Sequence, residues 1–149
     1  MKKAAAILAT FFGLGFFPLV PGTMASAAAV LAYRYVLHDL SWPLYGLLVV
    51  FLAVAGGAAS SAYAAKLGQA DPGRVVVDEV CGQLAALALW PSGWAALAVS
   101  FVLFRLFDII KPWPLRKLEK LRAGWGIMAD DLGAALAAAV LGRLILRGI

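Results

Sequence analysis

Eight residues in this sequence have the types and spacing that chemistry on a charged substrate requires. Five are acids: Asp78, Glu79, Asp108, Asp130 and Asp131, out of eight acids in the chain. Two are cations, Arg105 and Lys111, and the eighth is Thr23 of a Pro-Gly-Thr turn. The acids and cations lie at the edges of long apolar runs, where insertion of one charged group costs roughly 2.5–3.5 kcal/mol. Groups placed there at such cost usually face a partner or a wet cavity. Carboxylates brought together repel one another unless a cation neutralises them. An oxygen-rich acidic site suits hard divalent ions, with Mg²⁺ first for phosphate chemistry.

Spacing adds geometry to residue type. Arg105, Asp108 and Lys111 are three apart and share a helix face. Pro112 biases Lys111 away from helical backbone and so ends the helix near that point. The adjacent pairs Asp78–Glu79 and Asp130–Asp131 point about 100° apart on a helix. One member of each pair is expected to reach an ion, the other a second ion, a basic residue or water. Gly82 would let a neighbouring helix approach closely.

Each feature also has a plain structural reading. Arg105 and Asp108 could form an ion pair within one helix, and both acid pairs could sit at helix N-termini, where the dipole favours them. Thr23 could be an N-cap and Lys111 could extend to the membrane edge. The joint occurrence of these features on one side is what favours a site.

The elements that must position these groups are hydrophobic. The chain has 149 residues, 64% of them hydrophobic and 14% charged, against about 25% charged in soluble domains. That length gives a single domain, residues 1–149. Apolar segments cover residues 4–17, 23–37, 43–65, 75–90, 93–110 and 127–146. Segment 43–65 has 23 residues without a charge, enough to cross about 30 Å of hydrocarbon. The first segment is too short before Pro18 and Pro21 to span, and reads as a re-entrant or interfacial helix. The expected fold is an all-α integral membrane protein, a small polytopic bundle of about five spanning helices plus that N-terminal piece. Lys2, Lys3 and the Ala25-Ser26-Ala27 triplet imitate a secretory signal peptide, but the apolar segments that follow favour a multi-pass protein.

Basic residues set the orientation. With Lys2 and Lys3 in the cytoplasm, the outer loops at 38–42 and at Pro91–Ser92 carry no Lys or Arg. The inner loops carry Lys66 and Arg74, then Lys111, Arg116, Lys117, Lys120 and Arg122; only Arg143 and Arg147 in the tail dissent. All five acids then fall near the cytoplasmic leaflet. The net charge of +5 is explained by these loops and calls for no nucleic acid. In segment 112–126, Leu115, Leu118 and Leu121 alternate with cations between Trp113 and Trp125, an amphipathic pattern expected at headgroup level.

Several chemistries are set aside. His38, the only histidine, falls in an outer loop, and Cys81 is the only cysteine. There is no Gly-x4-Gly-Lys-[Ser/Thr] nucleotide loop. Metal-assisted attack by water, or a carboxylate nucleophile, remains. A cation transporter or channel and a non-catalytic lipid-binding membrane subunit are the competing readings. A cation path would distribute acids through the membrane depth, whereas these crowd one edge.

Four stretches resemble the phosphatidylglycerophosphatase A family of bacterial membrane lipid phosphatases. They are Gly13-Leu-Gly-Phe-Phe-Pro-Leu-Val-Pro-Gly-Thr-Met24, Val77-Asp-Glu-Val-Cys-Gly82, Phe104-Arg-Leu-Phe-Asp-Ile-Ile-Lys-Pro-Trp-Pro114 and Gly124-Trp-Gly-Ile-Met-Ala-Asp-Asp131. The resemblance implies Mg²⁺-dependent hydrolysis of the terminal phosphate of phosphatidylglycerophosphate, giving phosphatidylglycerol and inorganic phosphate. It implies a multi-pass protein of the bacterial cytoplasmic (inner) membrane with its active site facing the cytoplasm. Carried onto this chain, Asp78, Glu79, Asp108, Asp130 and Asp131 would be metal ligands, one of them serving as general base. Arg105 and Lys111 would hold the phosphate, with Thr23 and the helix N-terminus behind it binding a phosphate oxygen.

Overall fold

A computed structural model describes residues 2–88, 90, 93–120 and 124–147. These residues form six α-helices and no strand. The helices are α1 (Lys2–Ala9), α2 (Pro21–Ala32), α3 (Trp42–Leu67), α4 (Val77–Leu87), α5 (Trp94–Ile110) and α6 (Gly124–Arg147). Short 3₁₀ turns occupy Leu14–Phe16 and Leu115–Lys120, and α2 continues as a π-helical turn, Tyr33–Leu37. The loop residues Pro91 and Ser92, and the loop members Leu121 and Arg122, lie outside the described residues.

The N-terminal segment breaks where the sequence weakens it. After α1 the backbone turns left-handed at Phe11, Phe12 and Gly13, ending the helix. At 8 residues α1 is about 12 Å long, too short to span. Ala9 is fully buried, and its carbonyl accepts the Val76 N–H at 2.9 Å. This ties the N-terminal piece to the entrance of α4.

α4 is the central element. It has only 11 residues, nine of them buried, and it is packed by α2, α3, α5 and α6. Gly82 makes that enclosure possible: a Cβ there would lie 2.7 Å from the Phe104 ring and 3.1 Å from Asp131 Cβ. Tyr45 of α3 donates its hydroxyl to the Leu84 carbonyl at 2.7 Å, and Gln83 donates to Ser100 Oγ of α5 at 3.4 Å. These two bonds tie α4 to α3 and α5.

Outside, the bundle is apolar. Leu47, Val50, Phe51 and Val54 of α3, Val102, Leu106 and Ile109 of α5, and Leu136, Val140 and Leu144 of α6 are all exposed. Asp78, Asp108, Asp130 and Asp131 are buried. Soluble monomers rarely expose apolar surface on this scale. The all-helical bundle expected from the sequence is what folds, and α3, with 26 residues, has the length and apolarity of a membrane span. It is the one described helix that meets both conditions. α4, expected from 75 to 90, is shorter, about 16 Å.

Candidate functional site

One end of the bundle opens into a cavity of about 670 Å³. All eight residues singled out from the sequence line it: Thr23, Asp78, Glu79, Arg105, Asp108, Lys111, Asp130 and Asp131. Four helices bring them there. Asp78 and Glu79 occupy the first turn of α4, whose N-cap Val76 offers no side-chain oxygen. Arg105 and Asp108 lie on the last turns of α5, and Asp130 and Asp131 lie in the first third of α6. Thr23 sits in the first turn of α2, behind Pro21 at the start of the helix. Val20, not Thr23, is the N-cap of α2. The Thr23 hydroxyl is therefore not committed to capping.

The carboxylates form two overlapping groups. One oxygen each from Asp78, Glu79 and Asp131 lie within 4.8 Å of one another, and the same holds for Asp108, Asp130 and Asp131. Asp131 belongs to both and is 3% exposed. The cations are already directed at acids. Arg105 Nη1 is 2.6 Å from Asp108 Oδ2 and 3.9 Å from Glu79 Oε1, and Lys111 Nζ is 2.5 Å from Asp130 Oδ2. Asp78 Oδ1, Glu79 Oε2 and Asp131 Oδ2 are buried with no hydrogen-bond partner among the described residues. Two cations against five carboxylates leave negative charge uncompensated, and bare buried carboxylate oxygens are costly. A hard divalent cation is the species that such an oxygen set fits.

The expectations about spacing fare unevenly. Arg105 and Asp108 do share a face and form the three-apart pair. Lys111 does not continue that face. It stands beyond α5 in a left-handed conformation, φ 48° and ψ 62°, its N–H bonded to the Phe107 carbonyl at 2.8 Å, and it reaches across to Asp130. Of the Asp130–Asp131 pair, one member meets a basic residue and the other joins both carboxylate groups. Of the Asp78–Glu79 pair, both members join one group. Asp71, in the loop after α3, also lines the cavity and was not singled out, because an exposed acid in a loop carries no signal in sequence.

The amphipathic loop is rearranged too. Leu115 is buried and Leu118 half-buried, and both pack on Gly133 of α6. Trp113, Arg116 and Lys117 remain exposed, so the leucines face protein while the tryptophan and cations face outward.

Gly22 controls the approach of α2 to this site. A Cβ on Gly22 would collide with Glu79 Oε1 and lie 3.4 Å from Arg105 Nη1. Gly22→Ala is therefore expected to displace Glu79 and lower turnover on the order of 10²-fold, as misplacement near 1 Å can. Steady-state kinetics on the folded variant tests this, and wild-type turnover would contradict it.

Residues 7–146 match the family described as Phosphatidylglycerophosphatase A. The chain is 38% identical to the Escherichia coli K12 protein Phosphatidylglycerophosphatase A over 141 residues, 93% of this chain and 81% of the relative. The chain belongs to the phosphatidylglycerophosphatase A family. A second relative of that name, from Haemophilus influenzae, is 36% identical over 91% of this chain and 84% of its own. A Bacteroides thetaiotaomicron protein, provisionally named phosphatidylinositol-3-phosphatase, is 36% identical over 91% of this chain and 89% of its own. No solved structure matches the chain. Membership makes the chain an enzyme of the phosphatase class, and the four stretches that carried the resemblance all fall inside the matched region. Three of these phosphatidylglycerophosphatase A stretches supply every charged residue of the cavity except Asp71, and the other supplies Thr23.

Proposed function

We propose that this chain is a Mg²⁺-dependent lipid phosphatase that hydrolyses the terminal phosphate of phosphatidylglycerophosphate to phosphatidylglycerol and inorganic phosphate. It does so as a multi-pass protein of the bacterial cytoplasmic membrane, with about five spans and the cavity facing the cytoplasm. The observation that carries this reading is the cavity itself: six carboxylates, two cations and a helix N-terminus gathered at one end of a bundle with an apolar exterior. The exposed apolar side chains of α3, α5 and α6 support immersion in lipid. The basic residues of the inner loops support the orientation.

Asp78, Glu79, Asp108, Asp130 and Asp131 would hold the cation, with Asp131 common to both carboxylate groups and one ion or two accommodated. When bound, the ion would neutralise phosphate charge and make water a better nucleophile. Arg105 and Lys111 would turn from their carboxylates toward the phosphate oxygens and stabilise the charge that accumulates in transfer. The first N–H groups of α2 and the Thr23 hydroxyl would donate to a further phosphate oxygen. A carboxylate takes the proton from the attacking water. The phosphorus–oxygen bond to the glycerol breaks, and the leaving oxygen takes up a proton to become the alcohol of phosphatidylglycerol.

The transport reading is disfavoured because the charged groups gather at one end instead of forming a line through the bundle. A non-catalytic lipid-binding subunit would need the cations and not the carboxylates. Phosphate release by purified protein in detergent tests the substrate assignment. Phosphatidylglycerophosphate is expected to be hydrolysed faster than phosphatidylinositol 3-phosphate or phosphatidic acid. Preference for either of the others would replace the substrate and keep the phosphatase.

A further inference from the structure

A second cavity, about 260 Å³ and lined only by apolar side chains, lies between α2 and α5. Ala27, Val30 and Leu31 line it from α2, and Leu97, Ala98 and Phe101 from α5. Its register ties it to the charged cavity. Thr23 and Arg105 line the charged cavity, and Ala27 and Phe101, each four residues away along the same helix, line the apolar one. Residues four apart stand one above the other on a helix, so each helix presents one continuous stripe. On α2 the stripe runs Thr23, Ala27, Leu31; on α5 it runs Arg105, Phe101, Leu97 with Ala98, and then Trp94.

We infer that this groove between α2 and α5 seats one acyl chain of the lipid whose phosphate occupies the charged cavity. The inference rests on the lipid-phosphatase reading. Length agrees: Thr23 to Leu31 rises about 12 Å and Arg105 to Trp94 about 16 Å, close to the roughly 15 Å depth of one hydrocarbon leaflet. Trp94 marks the far end of the groove. Trp94 meets the Tyr35 ring edge-on at 6.1 Å between centroids, and the Arg34 guanidinium lies 5.8 Å from its ring. Leu31 and Ala98 are exposed on the flank, so a chain enters sideways from the bilayer without leaving hydrocarbon. Register with the phosphate cavity along both helices distinguishes this groove from the rest of the apolar exterior.

Filling the groove tests it. Ala98→Trp and Ala27→Trp place bulk in the groove at positions with no role in the charged cavity. The readout is the ratio of kcat/KM for dioleoyl to dihexanoyl phosphatidylglycerophosphate. The ratio is expected to fall by about 10-fold, the equivalent of about two buried methylenes. An unchanged ratio overturns the proposal, whether both activities persist or fall together. Labelling provides an arm independent of turnover. A phosphatidylglycerophosphate carrying a diazirine on one acyl chain is expected to label peptides from α2 and α5, with competition by phosphatidylglycerophosphate and not by phosphatidylcholine. Uncompeted labelling, or labelling confined to other helices, overturns the groove alone. Wild-type protein that hydrolyses neither lipid defeats the phosphatase reading instead, and competed labelling would still place the chain in the groove.

Discussion

Asp131→Asn is expected to lower kcat/KM on the order of 10²–10³-fold, and at the same time to make the metal-free protein more stable. Asp131 belongs to both carboxylate groups, so its loss damages any cation site built from either. It is buried at 3% exposure, and its Oδ2 has no hydrogen-bond partner among the described residues. Arg105 and Lys111 are directed at Glu79, Asp108 and Asp130 instead. Replacing the carboxylate with an amide of the same shape removes a negative charge from a place where negative charges accumulate. The metal-free fold then gains stability, and the thermal midpoint rises by a few degrees for each kcal/mol of repulsion relieved. The stabilisation expected of Mg²⁺ in wild type should shrink or vanish in the variant. A variant that keeps its turnover and its Mg²⁺-induced rise in midpoint would remove Asp131 from the site.

Arg105→Ala carries the second large effect, with the opposite sign for stability. Its guanidinium joins α5 to α4 by facing both Asp108 and Glu79. Truncation leaves two carboxylates at the cavity wall without their cation, and breaking a buried pair is costly. The thermal midpoint should fall. Activity should fall on the order of 10²–10³-fold through loss of phosphate binding and transition-state charge stabilisation. Arg105→Lys restores the charge but not the planar fork, so it should recover stability further than it recovers kcat. Steady-state kinetics at saturating Mg²⁺, with thermal unfolding of the same preparations, separates the two effects. Equal recovery of both by lysine would mean that Arg105 serves the ion pairs alone.

The residues of this site were legible because charge is conspicuous in apolar segments. Asp78, Asp108 and Asp130 stand out in predominantly apolar segments, and helical spacing puts Arg105 and Asp108 together. Proline and glycine marked the ends of the helices within a few residues. What stayed hidden was which helix is central. α3 is the longest apolar helix, yet its Leu47, Val50 and Phe51 face outward, while the shorter α4 is enclosed. In lipid, apolar residues suit both the exterior and the interior, so hydrophobicity does not sort the two. The Pro112 rule ended α5 at the right place and put Lys111 outside helical backbone, but did not say which conformation it takes. A left-handed turn places the lysine against Asp130. The α2–α5 groove has no sequence signature, since alanine reads the same beside a cavity as in a packed interface.

Phosphate release from phosphatidylglycerophosphate, measured with purified protein in Mg²⁺, in excess chelator, and after Mg²⁺ is restored, tests the central claim most directly. Asp78→Asn and Asp130→Asn proteins, checked for intact folding, are measured beside the wild type. The expected result is release that requires Mg²⁺, returns when Mg²⁺ returns, and disappears in both variants. Release that persists in chelator, or survives both substitutions, would contradict an acidic, cation-dependent centre in this cavity.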